Sequence, residues 1–367
     1  MEIGLNLDWL EPLDDPEVAA HIRDLGVTWA KLGANVTSPM DRPRLRKFLE
    51  GAAGIGLRCV IDLRTSAEEL RDWAHELRAE YLGKVPNEEL SGHVFSEQYK
   101  HLAEGVGEIV ADNADLCQDW EWWGEADCPH ISGGAFRCFE YGLSLQAVYD
   151  AAKAANPDCR VWTGGFGVNA NLRFLEDMVK AYCETCRIRC DPRMEECPKC
   201  GGPLMPGSGK HFDVCNLHHY AHQRQLDSVL NFYEKQLTRA RTWLDGKECS
   251  GQPFASTEWG LPTAPTRHIP PWLNSYVFGE VHAVRESEAA EWYDAMFALF
   301  ERHGFEVVCV HTLRDLAANP TNFWGGYCGL MTEYPLDSEP SEGLRKKLHW
   351  ETVQKWAHKG REKPAFE

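Results

Sequence analysis

A chain of 367 residues with 43% hydrophobic and 26% charged residues can bury a large core and has the composition of an ordinary globular protein. Its formal net charge of −18 repels phosphate backbones and anionic lipid surfaces, which argues against nucleic acid or a membrane surface as partner. No apolar run approaches the roughly eighteen residues of a membrane span.

The fourteen cysteines are scattered along the chain. Cys59, Cys215 and Cys309 sit in strand-like apolar runs, where a thiol behaves as a small hydrophobe. That usage fits a reducing compartment. The first residues alternate as a strand does (Ile3, Leu5, Leu7) instead of forming a leader's basic start and apolar run. A cytoplasmic location is therefore expected.

In chain order, strand-like runs fall at 3–7, 27–32, 57–63, 116–122, 160–165, 212–217, 254–258 and 307–311. Stretches with apolar residues at three- and four-residue spacing predict helices at 18–25, 45–53, 99–110, 143–155, 172–182, 226–244 and 289–302, with a last one over 344–356. Eight strands, each followed by a helix, predict a single (β/α)8 TIM barrel over residues 1–360. No Gly-rich phosphate loop follows any strand, which counts against a nucleotide-binding sheet. Two stretches exceed the minimal barrel. One, 66–92, adds a helix and loop after the third strand; the other, 183–209, falls between the fifth helix and the sixth strand.

Active sites of such barrels form at the C-terminal ends of the strands. Two glutamates stand at such ends: Glu125, just past the fourth strand in Trp-Glu-Trp-Trp-Gly-Glu-Ala-Asp, and Glu258, ending the seventh in Phe-Ala-Ser-Thr-Glu-Trp-Gly. A carboxylate pair flanking a bond is what glycoside hydrolysis uses: one protonates the leaving oxygen, the other attacks or activates water. Trp123 and Trp259 beside them, and the later Trp324, are candidates for stacking on sugar faces.

These motifs resemble the clan-A retaining glycoside hydrolases, with the cellulase and the β-xylosidase/α-iduronidase families nearest. The resemblance implies that Glu125 is the general acid/base, that Glu258 in Thr257-Glu258-Trp259-Gly260 is the nucleophile, and that Glu121 is a buried structural glutamate. The His-x-Tyr ending the sixth strand is matched by His218-His219-Tyr220, and its tyrosine is implied to hydrogen-bond the nucleophile. Departures are clear. Gly124 and Ala126 stand where the resembled families have an asparagine and a proline around the acid/base, and since that asparagine usually contacts the sugar's 2-substituent, the resemblance implies altered recognition there. His311 stands where an aromatic usually ends the eighth strand, and Lys31 and Asn35 end the second strand where an arginine is common. Lys31, Asn35, His218, Tyr220 and His311 thus join the tryptophans as candidate substrate-binding residues. A metal-dependent hydrolase using His218, His219 or His311 is a rival reading; a non-catalytic glycan-binding or scaffold barrel is another.

Cys183-x-x-Cys186 and Cys197-x-x-Cys200 are two knuckles whose thiolates can close on one tetrahedral Zn2+ in a zinc-ribbon-like insert. Disulfides are disfavoured by the reducing compartment, and Cys190 ranks as a fifth thiol. Because the insert joins a helix to the next strand, it is expected on the face opposite the glutamates, where a closed four-cysteine zinc is structural. Arg187, Arg189, Arg193 and Lys199 make it a possible protein contact, although Asp191, Glu195 and Glu196 nearly balance their charge.

Overall fold

The computed structural model describes residues 1–7, 13–38, 40–65, 93–128, 138–166, 172–183, 185–190, 194, 196–204, 211–220, 225–245, 251–263, 284–315, 328–332 and 345–361. Trp324, the expected helix and loop at 66–92, and residues 191–193 and 195 of the insert lie outside them.

The fold is a (β/α)8 barrel. Its strands are β1 (Glu2–Asn6), β2 (Trp29–Asn35), β3 (Arg58–Arg64), β4 (Asp119–Trp122), β5 (Arg160–Thr163), the paired short segments β8 (Cys215–Asn216) and β9 (His219–Tyr220), β10 (Phe254–Gly260) and β11 (Phe305–His311). All pair in parallel, in the order β5-β4-β3-β2-β1-β11-β10-β8, with β9 also on β10. Parallel bridges from Trp162 to Val214 and from Phe166 to Leu217 close the ring.

Helices α1 (Pro16–Leu25), α2 (Asp41–Gly54), α3 (His93–Asp112), α4 (Cys138–Ala155), α5 (Leu172–Met178), α6 (Leu226–Asp245), α7 (Glu286–Arg302) and α8 (Trp350–Arg361) separate the strands. They start and stop for local reasons. At α1, the Asp15 carboxylate accepts the Glu17 N–H at 2.9 Å, and Pro16 occupies the first turn, where its missing N–H costs nothing. Val18, Ile22 and Leu25 then face the core at helical spacing. None of the described helices is long and apolar enough to cross a membrane.

Side chains alternate about each strand, so every second residue points into the barrel. A lower layer of inward side chains is an apolar plug of Trp29, Val60, Trp162, Val214, Ala255, Val307 and Cys309. Two residues further along β2, β3 and β4 the inward positions become Lys31, Asp62 and Glu121, all fully buried. Period two therefore places charged groups directly above the plug.

The predicted fifth helix, 172–182, is shorter than its apolar spacing indicates. It ends at Met178, and β6 (Ala181–Cys183) forms an antiparallel hairpin with β7 (Ile188–Cys190). Pairing of Ala181 with Cys190 and of Cys183 with Ile188 draws Cys183 into the sulfur cluster, and a helix could not supply those bonds.

Candidate active site

Backbone geometry aims both glutamates. Past β4 the chain turns through left-handed φ values at Trp123 (53°) and Glu125 (59°), which side chains rarely adopt. The turn is held from several sides. Trp123 N–H bonds Leu63 O at 3.0 Å, Gly124 N–H bonds Asp62 Oδ1 at 2.9 Å, and Glu125 N–H bonds Gly165 O at 2.7 Å. Tyr141 of α4 clamps it further, donating to Trp122 O at 2.9 Å and accepting from Gly164 N–H at 2.6 Å. On the facing strand, the β10–β11 register shifts between Ser256 and Trp259. Such irregularities re-aim side chains at strand ends, here around Glu258.

The result is a tight cluster. One carboxylate oxygen each of Glu125 and Glu258 and a ring nitrogen of His218 lie within 4.8 Å of one another. His218 Nδ1 is 3.1 Å from Glu125 Oε1 and 3.5 Å from Glu258 Oε2. Tyr220 O–H donates to Glu258 Oε2 at 2.7 Å, and Lys31 Nζ donates to Glu258 Oε1 at 2.9 Å. Glu258 therefore has a fixed donor on each oxygen.

The supporting layer is fully buried. Lys31 also reaches Asp62 Oδ2 at 3.4 Å, and Glu121 Oε1 accepts Gly165 N–H at 2.8 Å. Asn216 exchanges two bonds with Thr257, Nδ2 to Oγ1 at 2.7 Å and Thr257 N–H to Oδ1 at 3.0 Å. Thr257 Oγ1 then lies 3.0 Å from His218 Nε2. Gly165 gives the imidazole its place, because a Cβ there would lie 1.9 Å from the ring.

Charge follows from these contacts. Burial would raise the Glu258 carboxyl, but His218 and Lys31, then His311, outweigh it and hold it well below the ordinary range. Burial would keep His218 neutral, yet Glu258, Glu125 and Glu121 outweigh that and push it up to about 9. Burial and then the Asp62 charge push Glu121 up to about 7. Asp62 stays low because Arg64 and Lys31 outweigh its burial.

His218 makes a stability prediction. Its folded pKa lies above the ordinary 6.5, so its contribution is fully present below that value and is lost as pH rises through about 9. Denaturant unfolding should show stability falling by on the order of 3 kcal/mol between about pH 6 and 10. His218→Gln should flatten that limb; an unchanged slope would refute a charged His218.

The other expected residues sort by burial. His311 is buried, its Nδ1 accepts from Asn6 Nδ2 at 3.0 Å, and its ring stands edge-on to Tyr220. Asn35 is turned to a local task, its Oδ1 accepting from the Thr37 N–H and hydroxyl at 2.9 and 2.8 Å. Trp259, a candidate for either sugar platform or core, is fully buried and edge-on to Tyr293 and Phe300. Trp123 is likewise buried, edge-on to Trp122. Both rings are packed among other aromatic side chains, Trp259 against the helix outside its strand. His219 is boxed by Tyr233, Phe300 and Phe305, and burial brings it down to about 3. Sequence reading missed Asp62, Arg64, Asn216, Thr257 and Gly165. The signal for the first two was present: charges at period two ending an otherwise apolar strand, Val60-Ile61-Asp62-Leu63-Arg64.

The four sulfurs of Cys183, Cys186, Cys197 and Cys200 also lie within 4.8 Å of one another. Cys183 and Cys200 Sγ are 3.6 Å apart, far beyond a disulfide and close to the roughly 3.8 Å between ligands of a tetrahedral zinc thiolate. The knuckles share a design. Cys186 N–H points at Cys183 Sγ and Lys199 N–H at Cys197 Sγ, both at 3.4 Å, and each second cysteine is followed by a left-handed residue, Arg187 or Gly201. Burial opposes ionisation of Cys197, but the N–H groups of Lys199 and Cys200 bring its thiol down to about 6, favouring the thiolate a metal needs.

No family model and no curated protein matches the sequence. Solved structures do match. A glucosidase from Croceicoccus marinus superposes with TM-score 0.55 at 10% identity, over 97% of this chain and 67% of that one. A glycoside hydrolase family 5 mannosidase from Rhizomucor miehei gives 0.54 at 11%, over 98% and 93%. A Ruminococcus gnavus β-glucuronidase gives 0.52 at 11%, over 97% of this chain but half of that one. At such identities the likeness is one of architecture: the chain has a (β/α)8 fold that glycoside hydrolases also have.

Proposed function

We propose that the chain is a retaining glycoside hydrolase that cleaves β-glycosidic bonds of an oligo- or polysaccharide, with Glu258 as nucleophile and Glu125 as general acid/base. The observation that supports this reading is that one carboxylate oxygen of Glu125 and one of Glu258 lie within 4.8 Å of each other, an approach that suits a closely spaced pair. Retaining pairs stand about 5–5.5 Å apart, whereas inverting pairs leave about 6.5–9.5 Å for a water. Glu258 is kept ionised, and Tyr220 and Lys31 hold its two oxygens. Glu125 has the His218 Nδ1 3.1 Å away as a neighbouring proton site. In the first step Glu258 attacks the anomeric carbon while Glu125 protonates the leaving oxygen. In the second, Glu125 takes a proton from water, which displaces Glu258.

The same three ligand atoms could hold a metal, which is the second reading. Lys31 opposes it, since its ammonium already neutralises Glu258. Hydrolysis of a panel of aryl glycosides, with the first-formed anomer read by NMR, tests the proposal. Retained product unaffected by chelator is expected; an inverted product or loss of turnover on chelation would overturn it.

We further propose that Cys183, Cys186, Cys197 and Cys200 hold one Zn2+ that folds the insert and has no open position for substrate. About one zinc per chain is expected by elemental analysis. Replacing Cys186 and Cys200 by Ser should release it and lower the melting temperature while turnover of the folded enzyme survives. Absence of zinc, or a disulfide within the four, would contradict this.

A further inference from the structure

Asn216, Thr257 and His218 are wholly buried, and the hydrogens between them run one way. The Thr257 N–H can only donate. It points at Asn216 Oδ1 at 3.0 Å, which fixes the orientation of the amide. Asn216 Nδ2 must then donate to Thr257 Oγ1, 2.7 Å away. For its own hydrogen this hydroxyl has one acceptor among the described residues, His218 Nε2 at 3.0 Å. Amide, hydroxyl and imidazole thus form a directed chain that suits an Nε2 without a proton.

On the other side of the ring, Nδ1 lies 3.1 Å from Glu125 Oε1. When Glu125 is loaded as an acid, ring and carboxyl together hold two protons, which can be placed in three ways. In the first, both sit on the ring and Glu125 is ionised. In the second, the ring has its hydrogen on Nε2, and Glu125 Oε1–H points back at Nδ1. In the third, Nδ1–H donates to Oε1, and Glu125 carries its own proton on Oε2. Only the third leaves a carboxylic proton clear of the imidazole and available to a leaving oxygen. The first two put hydrogen on Nε2, which leaves the buried Thr257 hydroxyl hydrogen without an acceptor, a penalty of roughly 10- to 100-fold in population. The carboxylates favour the imidazolium at rest, and the chain works against it.

Resting on the glycosidase reading of this site, we propose that Asn216 and Thr257 are positioning residues for acid catalysis: their chain biases His218 Nε2 against a proton and so favours the acid's proton on the Glu125 oxygen that His218 does not face.

Thr257→Val removes the hydroxyl, and with it the bias, at nearly constant volume. It should lower kcat/KM by roughly 10- to 100-fold on glycosides with alcohol leaving groups. On aryl glycosides whose leaving group departs with little protonation, the change should stay below about threefold. Thr257→Ser keeps the hydroxyl and should bring the alcohol glycosides back to within about threefold of the wild type. Asn216→Asp turns the amide donor into an acceptor, so the hydroxyl swings toward it and Nε2–H is favoured. Its loss should follow the same leaving-group dependence and exceed that of Thr257→Val. Equal losses on both classes of glycoside, or a Thr257→Ser variant as impaired as Thr257→Val, would overturn the proposal and leave the chain a packing role. A further measurement on the wild type stands even if the variants fail to fold. In 15N NMR of the histidine-labelled protein at about pH 10, above the value of about 9 for His218, the single ring hydrogen should be on Nδ1. Hydrogen on Nε2 would overturn the proposal; the His218 signal is the one missing from His218→Gln. A wild type that hydrolyses no glycoside instead removes the reading beneath it.

Discussion

Glu258→Ala should abolish turnover of every glycoside the wild type accepts, because without the nucleophile no covalent intermediate forms. Glu125→Ala should separate substrates by leaving group. A good leaving group departs with little protonation, so its glycosylation step is partly spared; a sugar alcohol depends on the acid and should lose roughly 10²–10⁴-fold. Azide distinguishes the two positions further. In Glu125→Ala it attacks the glycosyl-enzyme in place of activated water and gives a product of retained configuration. In Glu258→Ala it occupies the nucleophile's place and gives the inverted one. This expectation rests on the proposed roles; Tyr220 and Lys31 fasten Glu258, and His218 lies beside both glutamates. Near-normal rates of both variants on natural linkages would mean that the wrong pair had been chosen.

Lys31→Met should be the most destabilising single change in the barrel mouth. The lysine is fully buried and bonds Glu258 and Asp62, so its removal leaves two buried carboxylates short of a counter-charge. Breaking such an arrangement costs about 3–5 kcal/mol. For a chain of this length that lowers the melting temperature by on the order of 4–6 °C. Activity should change with a defined sign. Lys31 is among the charges that hold the Glu258 carboxyl low, so without it that pKa rises and the ionised nucleophile is lost at mildly acidic pH. The acidic limb of kcat/KM should therefore move upward, with a larger loss at about pH 5 than at about pH 8. A uniform loss across pH would assign Lys31 a packing role alone.

Much of this was legible in the chain because strands and helices repeat with different periods. The eight strand positions follow from apolar runs, and Glu125 and Glu258 stand out as carboxylates where such runs end. The cysteine knuckles are local, so their spacing alone predicted a cluster that the sulfurs do form. What escaped is what only tertiary contact decides. Arg64 and Asp62 on β3 are remote in sequence from Gly124, and nothing along the chain says that they fill the space its absent side chain leaves. Trp259 follows the proposed nucleophile directly, yet alternation sends it outward against Tyr293 and Phe300 of α7 instead of toward the pocket. Helix α5 stops at Met178 because a hairpin partner at Ile188–Cys190 competes for the next residues, and periodicity carries no information about that partner.

The central claim is that Glu258 becomes covalently bonded to the sugar. A 2-deoxy-2-fluoro analogue of an accepted glycoside, with an activated leaving group, slows both steps and the second more, so the glycosyl-enzyme accumulates. Peptide mass spectrometry of the inactivated protein should place one glycosyl group per chain on Glu258, with Glu125 unlabelled. An adduct on any other residue, or none from an analogue that binds competitively at the active site, would contradict the assignment.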